Sequence, residues 1–373
     1  MTATHIPLVD LAAQHREVED DISRGFSQVI ERTSFILGPE VRLFEDEFAA
    51  FSGTKHCVGV ANGTDALEVA LRALEIGPGD EVIVPVNSFI ATAFAVTRAG
   101  ATPVFVDCDP LYYLIDVDQA AERITPRTRA IIPVHLYGQM APMERLQRVA
   151  DETGVFLIED AAQAQGARRN GSGVATMAAA AGTSFYPGKN LGAYGDAGAV
   201  LTASAELAGK LRAQGNYGSE VKYYHRQMGF NSRLDTLQAV VLRAKLCHLE
   251  RWNEARRIAA ARYDELLNDM ACAVRPSTMA GNDHVFHLYV IRVPRRDEVL
   301  HTLQQAGIGA AIHYPVPMHL QEAFRGTGHK RGDFPVAEKA SDEILSLPLF
   351  PQITAVQQER VVEVLHRALR SRH

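Results

Sequence analysis

Val155-Phe156-Leu157-Ile158-Glu159-Asp160 is an apolar run that closes on two acids. It reads as a buried strand that carries a carboxylate to its own carboxyl end. It is one of a series. From about residue 55 to 205, short β-branched runs recur at 57–60, 81–85, 102–106, 130–134, 182–185 and 197–201. Helical spacing fills the gaps: Leu67, Leu71 and Leu74 fall on one face, and Met143, Leu146, Val149 and Ala150 on another. Gly77-Pro78-Gly79-Asp80 makes a turn before a strand, and Gly100 separates a helix from the next one. Strand–helix alternation of this kind predicts an α/β fold, a mostly parallel sheet with helices on both faces. Ligands of such sheets bind beyond the carboxyl ends of the strands, where Asp160 is expected to sit.

The pattern changes near Leu234. Residues 234–267 form a long arginine-rich helical stretch with the only tryptophan, Trp252, and read as a connector. Beyond it a strand is expected at 285–293, a helix at 296–306 and a final amphipathic helix after Thr354. The division is therefore a large domain, 1–250, and a small α+β domain, 251–373, with a mobile loop at the glycine-rich stretch 326–332. The 373 residues, 47% hydrophobic, are ample for two cores. A net charge of −6 without a basic stripe argues against nucleic acid as a partner. No apolar segment is long enough to span a membrane, and residues 1–15 lack the pattern of a secretory signal. Cys57, Cys108, Cys247 and Cys272 are scattered, which suits free thiols and a cytoplasmic location.

The chemistry centres on Ser184-Phe185-Tyr186-Pro187-Gly188-Lys189-Asn190-Leu191-Gly192. A lone lysine is usually a solvated loop residue. Lys189, in an apolar turn flanked by glycines, is instead a candidate for a lowered pKa and for carbonyl chemistry. A lysine of that kind, with Asp160 placed to hold a pyridinium nitrogen, meets the minimal requirement of a pyridoxal phosphate enzyme. Gln163 is placed to bond the ring's phenolic oxygen. Asn62-Gly63-Thr64-Asp65 opens a helix after a strand. Thr64 is either its N-cap or a phosphate donor, and Gly63 and Ser184 complete an anion cup. Phe89 could lie flat on a planar ring, although residue type alone favours a core phenylalanine. Asp235 or Ser232 could cap the long helix. His313, Tyr314 and His319 are candidates to face a polyhydroxylated or nucleotide-bearing substrate. No spacing supports a metal site at His135, His313 and His319.

Together with Pro7-Leu8-Val9-Asp10-Leu11, Pro133-Val134-His135-Leu136-Tyr137-Gly138 and Asn231-Ser232-Arg233-Leu234-Asp235, these segments resemble the DegT/StrS-type sugar-nucleotide aminotransferases, a branch of the fold-type I pyridoxal phosphate enzymes. The resemblance implies a seven-stranded, mostly parallel sheet and a homodimer with active sites at the subunit interface. It makes Lys189 the lysine that carries the cofactor and Asp160 the partner of the ring nitrogen. Gln163 would contact the ring oxygen and Phe89 would stack on the ring. Gly63, Thr64 and Ser184 would hold the phosphate, with Asn231 of the neighbouring subunit. Tyr186, Tyr217, Tyr314 and His319 are the expected substrate contacts. L-glutamate would be the amino donor and a nucleotide-linked ketosugar the acceptor. The segment Asn216-Tyr217-Gly218-Ser219 and onward is most like the branch that aminates C3 of dTDP-3-keto-6-deoxyhexoses. The 4-amino branch, UDP-linked 3-keto sugars, a dehydratase and a non-catalytic regulator are the alternatives; Lys189 argues against the dehydratase. Gln165 stands where the family usually has histidine, and Ala197 where glycine is common.

Overall fold

A computed structural model describes residues 5–370. Seven strands form one sheet: His56–Val60 (β1), Glu81–Pro85 (β2), Thr102–Val106 (β3), Thr128–Ile131 (β4), Phe156–Asp160 (β5), Ala180–Ser184 (β6) and Gly198–Thr202 (β7). Their order is β1-β7-β6-β5-β4-β2-β3. The five strands from β6 to β3 are mutually parallel, and β7 runs antiparallel to both of its neighbours. The expected mostly parallel α/β sheet is the one the chain forms.

Period-two alternation assigns the sheet's two faces. Val82 and Val84 join Leu67 and Leu71 of the helix Gly63–Ala73 on one side. Ile83, between them, joins Phe44, Phe48 and Leu146 on the other. Phe44 and Phe48 lie on the helix Pro39–Ser52, and each meets Phe185 edge-on at 5.3 Å. The residue that starts the lysine turn is therefore locked in the core. Further helices of the large unit include Ala91–Ala99, Met143–Thr153 and Ala205–Gly215. In chain order these five helices are α1 (Pro39–Ser52), α2 (Gly63–Ala73), α3 (Ala91–Ala99), α4 (Met143–Thr153) and α5 (Ala205–Gly215).

Two expected strands are shorter than their apolar runs. β4 stops at Ile131, ahead of Pro133, which has no N–H to donate. The chain still follows β5, since the Pro133 carbonyl accepts from Asp160 N at 2.9 Å and Val134 bridges Asp160. The run 285–293 yields only Tyr289–Arg292 (β8), because Phe286 takes a left-handed φ of 41° and donates its N–H to His284 Nδ1 at 2.9 Å. The connector is a single helix, Thr236–Leu266 (α6). β8 pairs antiparallel with Ile344–Leu347 (β9), against the helices Arg296–Gln305 (α7) and Ala355–Arg370 (α8). A separate core gathers Ala260, Tyr263, Tyr289, Ile291, Leu345 and Leu365, and Ile6 joins it through a parallel bridge to Ile308. Within 326–332, Gly332 is tied by its N–H to both carboxylate oxygens of Glu338 at 2.8 Å. Residues 1–4 and 371–373, the outer ends of the two expected domains, lie outside the described range. Among the described residues no helix is long and apolar enough to cross a membrane.

Candidate active site

A cavity of about 630 Å³ opens at the carboxyl ends of the strands. Gly63, Thr64, Phe89, Asp160, Gln163, Ser184, Tyr186, Lys189 and Tyr314 all line it.

One end is built for an anion. Asn62, not Thr64, caps α2: its Oδ1 accepts from Asp65 N at 2.8 Å. Thr64 is thereby left to face the cavity beside the positive end of the helix dipole. The Asp65 carboxylate accepts from Ser232 Oγ at 2.8 Å and pairs with Arg98 at 3.1 Å, so Ser232 braces this turn and caps no helix. A Cβ built on Gly63 would lie 2.6 Å from Ser184 Cβ, so only glycine lets the helix start approach the end of β6 this closely. Gly63→Ala is expected to cost about 1–3 kcal/mol through overpacking, read as a lower denaturant midpoint; an unchanged midpoint would show that the contact is slack.

The opposite end presents Asp160, which is buried. Thr92 Oγ1 donates to its Oδ2 at 2.7 Å and Ala162 N to its Oδ1 at 3.1 Å. Thr92 stands in the first turn of α3, three residues after Phe89, and nothing in its residue type marked it. Gln163 Oε1 accepts from Tyr137 N at 2.7 Å, and its Nε2 donates to Tyr314 Oη at 3.1 Å, which leaves one amide N–H for a ligand. Phe89 is 53% exposed and its ring lies 5.4 Å from that of Tyr314, so it is a cavity wall and not a core residue.

Lys189 projects from a tight turn. Its N–H donates to Tyr186 O at 2.8 Å, and Ala193 N returns to Phe185 O at 2.8 Å. Burial presses the Lys189 pKa down to about 8, and the charge of Asp160 pulls it the other way. Burial also lowers Lys245, on α6, to about 8. Both titrate near 10.5 when unperturbed, so between about pH 8 and 10.5 the unfolded chain binds more protons than the folded one. Their contribution to stability therefore rises with pH across that window, and the penalty is full below it. Denaturant midpoints of the cofactor-free protein should follow, and Lys189→Met should flatten part of the rise; a slope identical to the parent's would refute the lowered pKa.

The sequence reading missed His287. Asn190 donates through Nδ2 to Asn253 Oδ1 at 2.9 Å and to Val285 O at 3.0 Å. Its Oδ1 must then accept from His287 Nδ1, at 3.2 Å, which fixes a tautomer with Nε2 bare. Burial and then the charge of Lys189 hold the His287 pKa well below the usual value, and the same two causes lower His313 to about 4. Two neutral imidazoles thus line the cavity with the lysine. No spacing motif pointed to His287, because its position depends on the left-handed turn at Phe286. Gln165 spends its amide on Thr183 Oγ1 and Ser184 O, both at 2.9 Å, and so ties β6 to the loop after Asp160.

Three expected residues lie elsewhere. His319 is carried into the core by the turn Met318–Leu320, where it bonds Glu338 at 2.9 Å and packs on Phe334, so it does not reach the cavity. Tyr217 is 47% exposed beneath the Arg233 guanidinium, and Asn231 bridges Asn216; neither lines the cavity of its own chain. Among the described residues no cluster of His, Cys, Asp or Glu could hold a metal ion. The anion cup, the braced carboxylate, the aromatic wall and the turn lysine together fit pyridoxal phosphate.

The sequence profile of the DegT/DnrJ/EryC1/StrS aminotransferase family matches residues 16–366, and the chain belongs to that family. It is an aminotransferase. A Geobacillus stearothermophilus protein named a pleiotropic regulatory protein is 48% identical, over 96% of this chain and 97% of its own length. The UDP-N-acetyl-3-dehydro-alpha-D-glucosamine 3-aminotransferase of Acidithiobacillus ferrooxidans is 48% identical over 98% of both chains. The dTDP-3-amino-3,4,6-trideoxy-alpha-D-glucose transaminase of Streptomyces venezuelae is 45% identical, over 96% of this chain and 95% of its own. Among solved structures, S. venezuelae DesV in complex with a ketimine intermediate superposes with a TM-score of 0.96 at 44% identity, covering 99% of this chain and 100% of that one.

Proposed function

We propose that this protein uses pyridoxal phosphate to move an amino group from L-glutamate to C3 of a nucleotide-linked keto sugar. The observation that carries the reading is a lysine of lowered pKa sharing one cavity with a carboxylate braced by Thr92 and with the open end of a helix. When bound, the cofactor supplies an electron sink for the carbon that gains or loses the amino group. Gly63, Thr64 and Ser184 would hold its phosphate, Phe89 would cover the ring, and Asp160 would keep a proton on the ring nitrogen. Lys189, unprotonated, takes the proton from Cα of the amino donor and later returns one to the carbon that becomes the amine. A pKa of about 8 leaves a far larger share of free amine near neutrality than an ordinary lysine would have.

Two similar enzymes carry names for amination at the 3-position, one on a UDP sugar and one on a dTDP sugar. The segment after Asn216 favours a dTDP-3-keto-6-deoxyhexose; the UDP-linked sugar is the second reading, on the 48% relative. We also propose the division into domains 1–250 and 251–373, a cytoplasmic location and a homodimer. In that dimer Asn231 and Tyr217 would serve the partner's cavity, for they flank a hairpin, Ser219–Val221 with Tyr224–His225, that exposes Tyr223 and Tyr224.

The test is an absorption spectrum of the purified protein with pyridoxal phosphate, before and after L-glutamate, followed by mass spectrometry of each keto sugar offered. A visible band that gives way to a near-ultraviolet one on adding glutamate supports the reading, and the sugar aminated names the nucleotide and the carbon. A band that glutamate leaves unchanged overturns the donor or the transfer. No band at all would favour a regulator, as one relative's name suggests.

A further inference from the structure

The lysine turn lies along one side of α6, antiparallel to it, and the helix grips the turn at three points. Gln238 Oε1 accepts from Tyr194 N at 2.8 Å. Lys245 Nζ donates to Gly192 O at 2.7 Å. Asn253 Oδ1 accepts from Asn190 Nδ2 at 2.9 Å. These three positions are seven and eight residues apart, about two turns each, so they form one stripe of the helix.

Lys245 is the unusual member. It is 2% exposed, and among the described residues it has no carboxylate in ion-pair range. Its ammonium rests 4.6 Å from the centre of the Tyr194 ring and is otherwise spent on one backbone carbonyl. Burying a charge that way is unfavourable, and a core gains nothing from it that a methionine would not supply. The carbonyl it holds belongs to the residue that closes the turn. A Cβ on Gly192 would stand 2.2 Å from Pro187 O, so the turn is folded back on itself with Lys189 between those two points.

We propose that Gln238, Lys245 and Asn253 are positioning residues for Lys189, with Lys245 the clamp that keeps the turn closed and the reacting amine dry. The inference rests on Lys189 being that amine. Because the clamp acts on the closure of the turn, its loss would let water reach Lys189 and let the amine wander from its aligned position, at a cost to the chemical step greater than to binding.

The experiment compares the parent with Lys245→Met and with Lys245→Gln, which keeps an N–H donor. In cofactor-free protein, the pH dependence of Lys189 acylation by a small amine reagent is followed by peptide mass spectrometry. In the loaded enzyme, kcat and KM for L-glutamate are measured. In Lys245→Met, Lys189 should titrate about one pH unit higher or more, and kcat should fall about 10-fold or more with little change in KM. Lys245→Gln should recover part of both. A Lys245→Met protein that unfolds more easily yet keeps the parent's Lys189 titration and kcat would show that Lys245 is packing only, and would overturn the proposal. Should Lys245→Met fail to fold, Gln238→Ala at the half-buried end of the stripe should shift Lys189 the same way by less, and no shift there overturns it too. If the parent shows no glutamate turnover but the titration shift appears, the transaminase reading fails and the clamp stands.

Discussion

Lys189→Ala is expected to abolish amino transfer, with a loss of about a thousandfold or more in kcat, since no second base stands ready at that carbon. The neighbouring histidines do not replace it. His287 and His313 are neutral, but burial holds the His313 pKa down at about 4 and that of His287 well below the usual value, so each is a far weaker base than the lysine. The variant should fold, because it removes a partly buried ammonium that the folded state disfavours. Two readouts separate the roles of the lysine. Single-turnover mixing with L-glutamate reports the proton transfer, and retention of the cofactor through gel filtration reports attachment. Residual turnover within a factor of ten of the parent would mean that another group moves the proton.

The sequence carried the sheet well, because its signals are local. Each strand of the seven-stranded sheet overlaps an apolar run of its own, and the turn at Gly77-Pro78-Gly79-Asp80 stands directly before β2. The failures have one cause, that a side chain's destination is set by distant packing. Pro133 truncates β4, yet its carbonyl still pairs with Asp160, which no period could reveal. His313 and His319 lie six residues apart and read alike as donors. The short turn at Met318 sends His319 to Glu338, while His313 stays at the cavity. Thr92 reaches Asp160 across 68 positions of sequence, and the partners of Lys245 and Asn253 depend on how α6 lies against the lysine turn. The residues proposed to react were legible because each ends or follows a strand, where a parallel sheet must place its ligand. The residues that hold them in position were not.

Asp160→Asn tests the other end of the site, and its value lies in how little else it should disturb. The Asn oxygen can keep the Ala162 N–H, and the Thr92 hydroxyl can turn to accept from the new amide while donating to Ser88 Oγ, 3.0 Å away, or to Phe89 O. Every buried polar atom keeps a partner, so the denaturant midpoint should move by less than about 1 kcal/mol equivalent. What is lost is the charge. A hydrogen bond to a charged group contributes about 1.5–3 kcal/mol, so kcat should fall roughly 10- to 100-fold at about 1.4 kcal/mol per decade. Thr92→Val removes the brace while leaving the carboxylate, and should lower kcat less. In the double variant the two losses should fall short of their sum, because Thr92 acts through Asp160. Full additivity would mean that Thr92 serves α3 alone, and an unchanged rate in Asp160→Asn would remove the carboxylate from the chemistry altogether.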